Sequence, residues 1–361
     1  MWLLTPSPSI PGKRLQAVSD LALVTGATGL LGSYLVERLL DGGWDVRALV
    51  RDPEQARWLE ETGATLFTGD ITDRSSVMSA ASGCSLVFHA AASVGVGTDW
   101  ETFRLGNVEG TENVLQASAV SGARLVFIST TGVFGRARYR ELPTDESVPL
   151  PELPEHEVYG RSKQAAERLV LEAHERGTVW TAIVRPPVMY GVRDRQFVPR
   201  IAPIFQRGFF PLLGGGASTM SLTHARSIAE GALLVGMNES AGGKIYHLTD
   251  DFPITVSDLV RYGAEGLGCR VRRIHVPTAV AKIGFGILKP LLIAVGRSDL
   301  APHTEGTLDM LTRSNPFTSR RAREELGWVP TTRPEVGLPE AFRSWKVQET
   351  SLPDTSGSRS G

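Results

Sequence analysis

Hydrophobic positions along this chain alternate between short unbroken runs and stretches that recur every three to four residues. Leu21 to Thr25 is such a run, leading into Gly-Ala-Thr-Gly-Leu-Leu-Gly, after which Leu30, Leu31, Leu35, Leu39 and Leu40 repeat until Gly42 and Gly43. That pattern predicts strand, tight turn and helix. Val46 to Val50 reads as the next strand, Pro53 to Glu61 as a helix, and Ala64 to Thr68 as a third strand ending at Asp70. Further strands are predicted at Leu86 to His89, Leu125 to Ser129 and Val179 to Arg185, with helical periodicity through Asn107 to Ser121 and Ser162 to His174. Alternating strand and helix predicts an α/β fold with a doubly wound parallel sheet. Its ligand site lies beyond the carboxyl ends of the strands.

Beyond Arg185 the texture changes, as Pro186, Pro187, Pro199, Pro203, Pro211 and the Gly214 to Gly216 run break the periodicity. The expected organisation is a flexible leader over 1–19 and a dinucleotide-binding Rossmann core over 20–185, to which 227–250 return. A smaller substrate-binding subdomain takes 186–226 and 251–348, and a disordered tail takes 349–361. The most membrane-like segment, Val276 to Val295, is interrupted by Lys282, Lys289 and Pro290 before the ~20 apolar residues that a span requires. No transmembrane span is expected; contact with a membrane surface, or lining of an apolar pocket, remains open to it.

Composition narrows the partners. Lys and Arg number 38 against 39 Asp and Glu, a net charge of -1, so no basic field exists to attract a nucleic-acid backbone. Cys84 and Cys269 are the only cysteines, far apart and without metal-ligand spacing. Neither a disulfide framework nor a metal site is expected, and a reducing cytoplasm fits.

The candidate chemistry sits at the predicted strand ends. Gly26, Gly29 and Gly32, with Thr28 and Leu30 between them, follow a strand and open a helix, the context in which glycines bring backbone amides close to a dinucleotide diphosphate. The second strand ends at Arg51 with Asp52 one step later. An arginine at this position accommodates the 2′-phosphate of NADP, whereas a carboxylate binds the 2′-hydroxyl of NAD, so NADP is favoured over NAD. Tyr159 and Lys163 stand four residues apart, on one face of a helix. An ammonium beside a phenol is expected to lower its pKa and make proton exchange with an alcohol or carbonyl feasible. Upstream, Ser129, Thr130 and Thr131 place hydroxyls where one can donate a hydrogen bond to a substrate oxygen.

Taken in order, these features resemble an extended short-chain dehydrogenase/reductase of the NAD-dependent epimerase/dehydratase type. Further matches are Gly69 to Asp73, the small-residue strand end His89 to Ala92, Asn107 to Thr111, Arg185 to Gly191 and Arg321 to Pro330, so the resemblance runs from Leu21 to Lys346. It implies that Asp70 and Ile71 contact the adenine, that Ala90 and Ala92 border the cofactor, and that Pro186 to Val188 hold the nicotinamide amide. Counting back from Gly135, it gives Thr130 the catalytic hydroxyl position beside Tyr159 and Lys163, with Asn107 supporting the site from its helix. A homodimer through the helices around Asn107 to Ser121 and Ser162 to His174 is implied by analogy.

The chain departs from the nucleotide-sugar members at two places. Pro187-Val188 stand where an Asn is usual, and Met220-Ser221-Leu222 replace Arg-Asp-Phe, removing the bidentate partner of a substrate diphosphate. Phe209, Phe210, Leu212, Leu213 and Ile283 to Val295 make the neighbourhood apolar, which either forms a greasy pocket or packs the subdomain core. The resemblance is therefore closest to the 3-beta-hydroxysteroid dehydrogenase and dihydroflavonol reductase branches. The expected function is hydride transfer between NAD(P) and a secondary alcohol or ketone of an apolar small molecule. A nucleotide-sugar epimerase or dehydratase with retained NAD is the alternative, and a non-catalytic NADP-binding regulator the remote one.

Overall fold

The structure is a computed structural model, and it describes residues 20–94, 99–139, 142–294, 308 and 311–351. The 1–19 leader lies outside the described residues. Seven strands form one parallel sheet: β1 (Leu21–Thr25), β2 (Asp45–Val50), β3 (Thr65–Thr68), β4 (Leu86–His89), β5 (Arg124–Ile128), β6 (Thr181–Arg185) and, later in the chain, Ile245–His247. Their spatial order, starting from Ile245–His247, is that strand, then β6, β5, β4, β1, β2 and β3. The chain thus runs outward from β1 to β3, crosses back to β4 and runs outward the other way. That reversal opens a crevice at the carboxyl ends of β1 and β4.

Helices cover both faces: α1 (Leu30–Asp41), α2 (Pro53–Glu61), α3 (Arg74–Ala81), the single turn α4 (Trp100–Phe103), α5 (Gly110–Ser121) and α6 (Val158–Glu175). Alternate residues of one strand divide between two cores. Val126 and Ile128 pack with α1 and with the helix Ala225–Met237, whereas Leu125 and Phe127 pack against α3, α5 and α6. This division explains why the central strands read as unbroken apolar runs.

Several predicted boundaries shift. The helix carrying Lys163 starts at Val158, so Tyr159 lies within it. The helix predicted from Asn107 is preceded by α4 and by a π-helical segment, Arg104–Glu109, which contains Asn107 itself. The third and sixth strands are trimmed to Thr65–Thr68 and Thr181–Arg185.

The remaining chain builds a second lobe, except the helix Ala225–Met237, the strand Ile245–His247 and the helix Arg320–Leu326, which belong to the sheet and its core. Strands β7 (Val188–Tyr190), β8 (Phe209–Leu213), β9 (Thr219–Met220) and β10 (Leu222–His224) are joined by helices α7 (Val198–Gln206) and α8 (Ala225–Met237). After β11 (Ile245–His247) come β12 (Ile254–Thr255), α9 (Val256–Leu267), β13 (Arg272–Val276), α10 (Thr278–Ala294), α11 (Arg320–Leu326) and α12 (Pro334–Ser351). Helix α12 continues into the start of the segment expected to be a disordered tail. Phe205, Phe342, Leu222 and Leu259 centre this lobe's core. The apolar neighbourhood noted in the sequence divides here: Phe210 and Leu212 are buried in that core, while Phe209, Ile283 and Ile287 are exposed. Pro290 does not end α10. No helix among the described residues is long and apolar enough to cross a membrane.

Candidate active site

The crevice between β1 and β4 is built by glycine and alanine. Gly26 has φ +70°, and a Cβ on it would come within 2.6 Å of the Ala91 nitrogen. A Cβ on Gly32 would lie 2.1 Å from the Gly26 carbonyl oxygen, so the turn closes only without side chains. Across the crevice the Ala91 amide donates to Thr25 Oγ1 at 3.3 Å, which keeps Ala90 to Ala92 alongside the turn. Gly29 is the N-cap of α1, no side chain caps the helix, and its first turn carries no acidic residue. The unpaired amides and positive helix end therefore suit a diphosphate, with Thr28 and Leu30 flanking them.

Arg51 and Asp52 lie at the neighbouring strand end and have different occupations. Asp52 caps α2, accepting from the Gln55 amide at 3.2 Å and from Gln55 Nε2 at 2.8 Å. Arg51 is exposed and bonds to no described residue. Asp70 Oδ1 accepts from the Thr72 amide and hydroxyl, both at 2.8 Å. Ile71 packs where a Cβ on Gly110 would meet it at 2.9 Å, and its carbonyl accepts from Asn113. These contacts put Asp70 and Ile71 at the carboxyl edge of β3.

Tyr159, Lys163 and Thr130 come together at the end of β5. Thr130 Oγ1 accepts from the Gly132 amide at 3.0 Å, which leaves the hydroxyl proton for an acceptor beyond it. Lys163 is 2% exposed; its Nζ donates to the Ile128 carbonyl at 2.6 Å and lies 4.1 Å from the centre of the Phe127 ring. Burial lowers its pKa to about 7, with the Glu167 carboxylate opposing. Burial likewise pushes the Tyr159 phenol up to about 12, with the Thr130 hydroxyl pulling the other way. This corrects the expectation that Lys163 lowers the phenol's pKa: the ammonium is turned to Ile128, and desolvation dominates. Pro186 follows β6 and accepts from the Thr131 amide at 2.9 Å, and Val188 opens β7 beside Leu222.

Asn107 is fully engaged. Its Nδ2 donates to the Ser93 carbonyl at 3.1 Å and to Ser162 Oγ at 2.9 Å, while its Oδ1 accepts from the Ser93 amide at 2.6 Å. Ser162 in turn donates to the Tyr159 carbonyl at 2.8 Å. Asn107 thus ties the chain beyond β4 to the helix of Tyr159. Sequence reasoning missed Ser93, Ser162 and the buried pair of Glu167 with Arg185, in which Nε and Nη2 reach the two carboxylate oxygens at 2.8 and 2.6 Å. Glu167 follows Lys163 by the same four residues that separate Lys163 from Tyr159, so one signal was present. At the position of the absent Arg-Asp-Phe, Met220 and Leu222 are buried and Ser221 bonds to Asn315. No described group of three or more His, Cys, Asp or Glu side chains could hold a metal.

Known proteins fit this geometry. The profile of the NAD dependent epimerase/dehydratase family matches residues 22–248. A 4-hydroxy-2-methyl-3-oxo-4-farnesyl-3,4-dihydroquinoline-1-oxide ketoreductase of Stigmatella aurantiaca is 31% identical, over 91% of this chain and 98% of its own. A decarboxylating sterol-4-alpha-carboxylate 3-dehydrogenase of Dictyostelium discoideum is 25% identical, over 88% and 98%. Among solved structures, DesIV, a dTDP-glucose 4,6-dehydratase of Streptomyces venezuelae with NAD and TYD bound, superposes with a TM-score of 0.71 at 22% identity. The match covers 91% of this chain and 98% of that one, and it shows the shared fold. The chain belongs to the NAD dependent epimerase/dehydratase family, and within it is an extended short-chain dehydrogenase/reductase, an NAD(P)-dependent oxidoreductase.

Proposed function

We propose that this protein reduces the ketone of an apolar small molecule, with NADPH preferred to NADH. The observation that carries the reading is the Tyr159 phenol set beside the Thr130 hydroxyl, one helical turn from the buried Lys163 ammonium. A phenol is protonated at neutral pH even at its ordinary pKa of about 10, and burial raises Tyr159 further, so it can serve as the proton donor that reduction requires. When bound, the reduced nicotinamide supplies the hydride to the carbonyl carbon. Tyr159 gives its proton to the carbonyl oxygen, Thr130 donates a hydrogen bond to that oxygen as charge develops, and Lys163 holds positive charge beneath both. Gly26 to Gly32, Asp70, Ile71, Ala90, Ala92, Pro186 and Val188 are the residues proposed to hold the cofactor. The exposed Arg51, which bonds to no described residue, supports the preference for NADPH. The farnesyl and sterol compounds named for the two relatives, together with the missing diphosphate arginine, support an apolar substrate. We carry a homodimer through α5 and α6 as part of the same proposal.

The test is NADPH oxidation with a panel of sterol, prenylated and long-chain aliphatic ketones beside nucleotide sugars. Reduction of lipophilic ketones is expected, and Tyr159→Phe should lower kcat by about 10² to 10⁴ while cofactor affinity holds. Turnover of nucleotide sugars alone, with NAD retained, would establish the epimerase or dehydratase alternative instead. Arg51→Ser is expected to weaken NADPH binding roughly tenfold and leave NADH binding unchanged; equal losses for the two would remove the assigned role of Arg51.

A further inference from the structure

His89 closes β4 and takes no part in the chemistry assigned to Tyr159, yet its ring is held on both edges. Thr25, the last residue of β1, pairs with His89 across the parallel register. Leu23 and Val87, two residues earlier in each strand, pack in the core on the side of α5, and the period of two puts Thr25 and His89 on that same face. The first turn of α5 brings Thr111 to meet them. Thr25 Oγ1 lies 2.7 Å from His89 Nδ1, and Thr111 Oγ1 lies 3.1 Å from Nε2. All three residues are 0% exposed, so these polar atoms depend on one another for partners.

The partners fix where every proton sits. The Asn107 carbonyl can only accept, so the Thr111 hydroxyl, 2.7 Å away, donates to it. The Thr111 oxygen is then left to accept from His89, which places the ring proton on Nε2. Nδ1 is therefore a bare acceptor for the Thr25 hydroxyl, and the Thr25 oxygen accepts from the Ala91 amide at 3.3 Å. The donations run one way, from Ala91 through Thr25, His89 and Thr111 to Asn107. Only a neutral ring completes them, and burial, with the Lys163 ammonium acting in the same sense, lowers the His89 pKa to about 3. Beyond Asn107 the bonds continue through Ser162 to the Tyr159 carbonyl. We infer that His89, as its neutral Nε2–H tautomer, is a positioning residue that couples the cofactor crevice to the helix carrying Tyr159. A flat ring with an acceptor and a donor on separate edges holds Ala90 to Ala92 and Asn107 at a set separation. Order in the crevice, where Ala90 and Ala92 are proposed to meet the cofactor, thereby passes to the phenol proposed to move the proton, and the coupling rests on those two assignments.

Proton–nitrogen correlation spectra of the full chain, labelled with nitrogen-15 histidine, should show His89 with Nε2 protonated and Nδ1 bare, unchanged between about pH 8 and pH 5. Its resonances are assigned by their loss in His89→Gln or their shift in Thr111→Val. The Thr111→Val substitution keeps the side chain's shape and removes only the hydroxyl that joins His89 to Asn107. Bound NADPH is expected to slow amide exchange over Tyr159 to Lys163 in the unsubstituted chain and in Thr111→Ser, but not in Thr111→Val. With a ketone that the chain reduces, Thr111→Val should lower kcat about tenfold while cofactor affinity holds, and Thr111→Ser should restore it. A ring protonated on Nδ1, equal slowing of exchange in Thr111→Val, or a kcat unmoved by that substitution would each overturn the coupling. The expected spectra and exchange without turnover of any ketone would instead remove the proposed reaction and leave the coupling in place.

Discussion

Lys163 shows how far burial changes a side chain. In water its ammonium is charged throughout the neutral range, but beneath the active site its pKa falls to about 7, because desolvation outweighs the attraction of Glu167. If reduction requires the charged form, kcat/KM should be constant below pH 7 and decline as pH rises through that value. Glu167→Gln removes the opposing carboxylate, so the declining limb should move to lower pH, as a pH–rate profile will show. The same substitution strands Arg185 in the interior, and denaturant unfolding should register a loss of about 3 kcal/mol or more. A profile unmoved by Glu167→Gln would rule out the coupling. The spacing of Tyr159, Lys163 and Glu167 is visible in the sequence. The Ile128 carbonyl that holds Lys163 is not, because it comes from a strand whose side chains say nothing about its backbone acceptors.

Among the elements, the glycine turn is the most legible and the π segment the least. Strand, Gly26, Gly29, Gly32 and helix form one local pattern, and the packing makes each glycine's role explicit. Gly32→Ala forces a methyl group to within 2.1 Å of the Gly26 carbonyl oxygen. The turn must open, so cofactor affinity should fall by at least about tenfold and stability by about 1–3 kcal/mol, measurable by calorimetric titration and thermal unfolding. The π segment Arg104–Glu109 carries no comparable signature. The missing side chain of Gly106, on which a Cβ would meet Ser93 Oγ at 2.3 Å, admits the contact that lets Asn107 grip Ser93. That geometry depends on the chain beyond β4, and periodicity alone predicts an ordinary helix. Asn107→Ala is expected to lower kcat more than it raises KM, since it loosens the helix that aims Tyr159 without removing a group from the reacting atoms; steady-state kinetics separates the two.

At the scale of the whole molecule, a buried polar cluster lies where the two lobes meet. Asp250 follows β11 and is 4% exposed, and its Oδ2 is without a partner among the described residues, as are Tyr190 OH and His224 Nε2 nearby. Burial raises the Asp250 carboxyl to about 7. The folded chain therefore holds a proton that the unfolded chain releases near pH 4. This contribution to stability is present below about pH 4 and is lost as pH rises to about 7. The buried histidines 89, 224 and 247, whose pKa values are lowered by burial, act in the opposite sense. Comparison with Asp250→Asn isolates the carboxyl: measured relative to the variant, the unsubstituted chain should lose denaturant stability between pH 5 and pH 8 by an amount on the order of a few kcal/mol. Identical pH dependence in both chains would show that Asp250 is ionised in the fold.

The sequence by itself determined the order of strands and helices, the glycine turn, the Tyr159–Lys163 spacing and the loss of the diphosphate arginine. Each of these is a local periodicity or a residue choice readable within one element. The tertiary structure alone decided that burial brings Lys163 near neutrality, that it raises rather than lowers the phenol's pKa, and that Phe210 is covered while Ile283 is bare. The physical reason is common to all three. Burial, and the pKa values and affinities that follow from it, depend on what distant segments pack against a residue, and periodicity along the chain reports only which face could be covered.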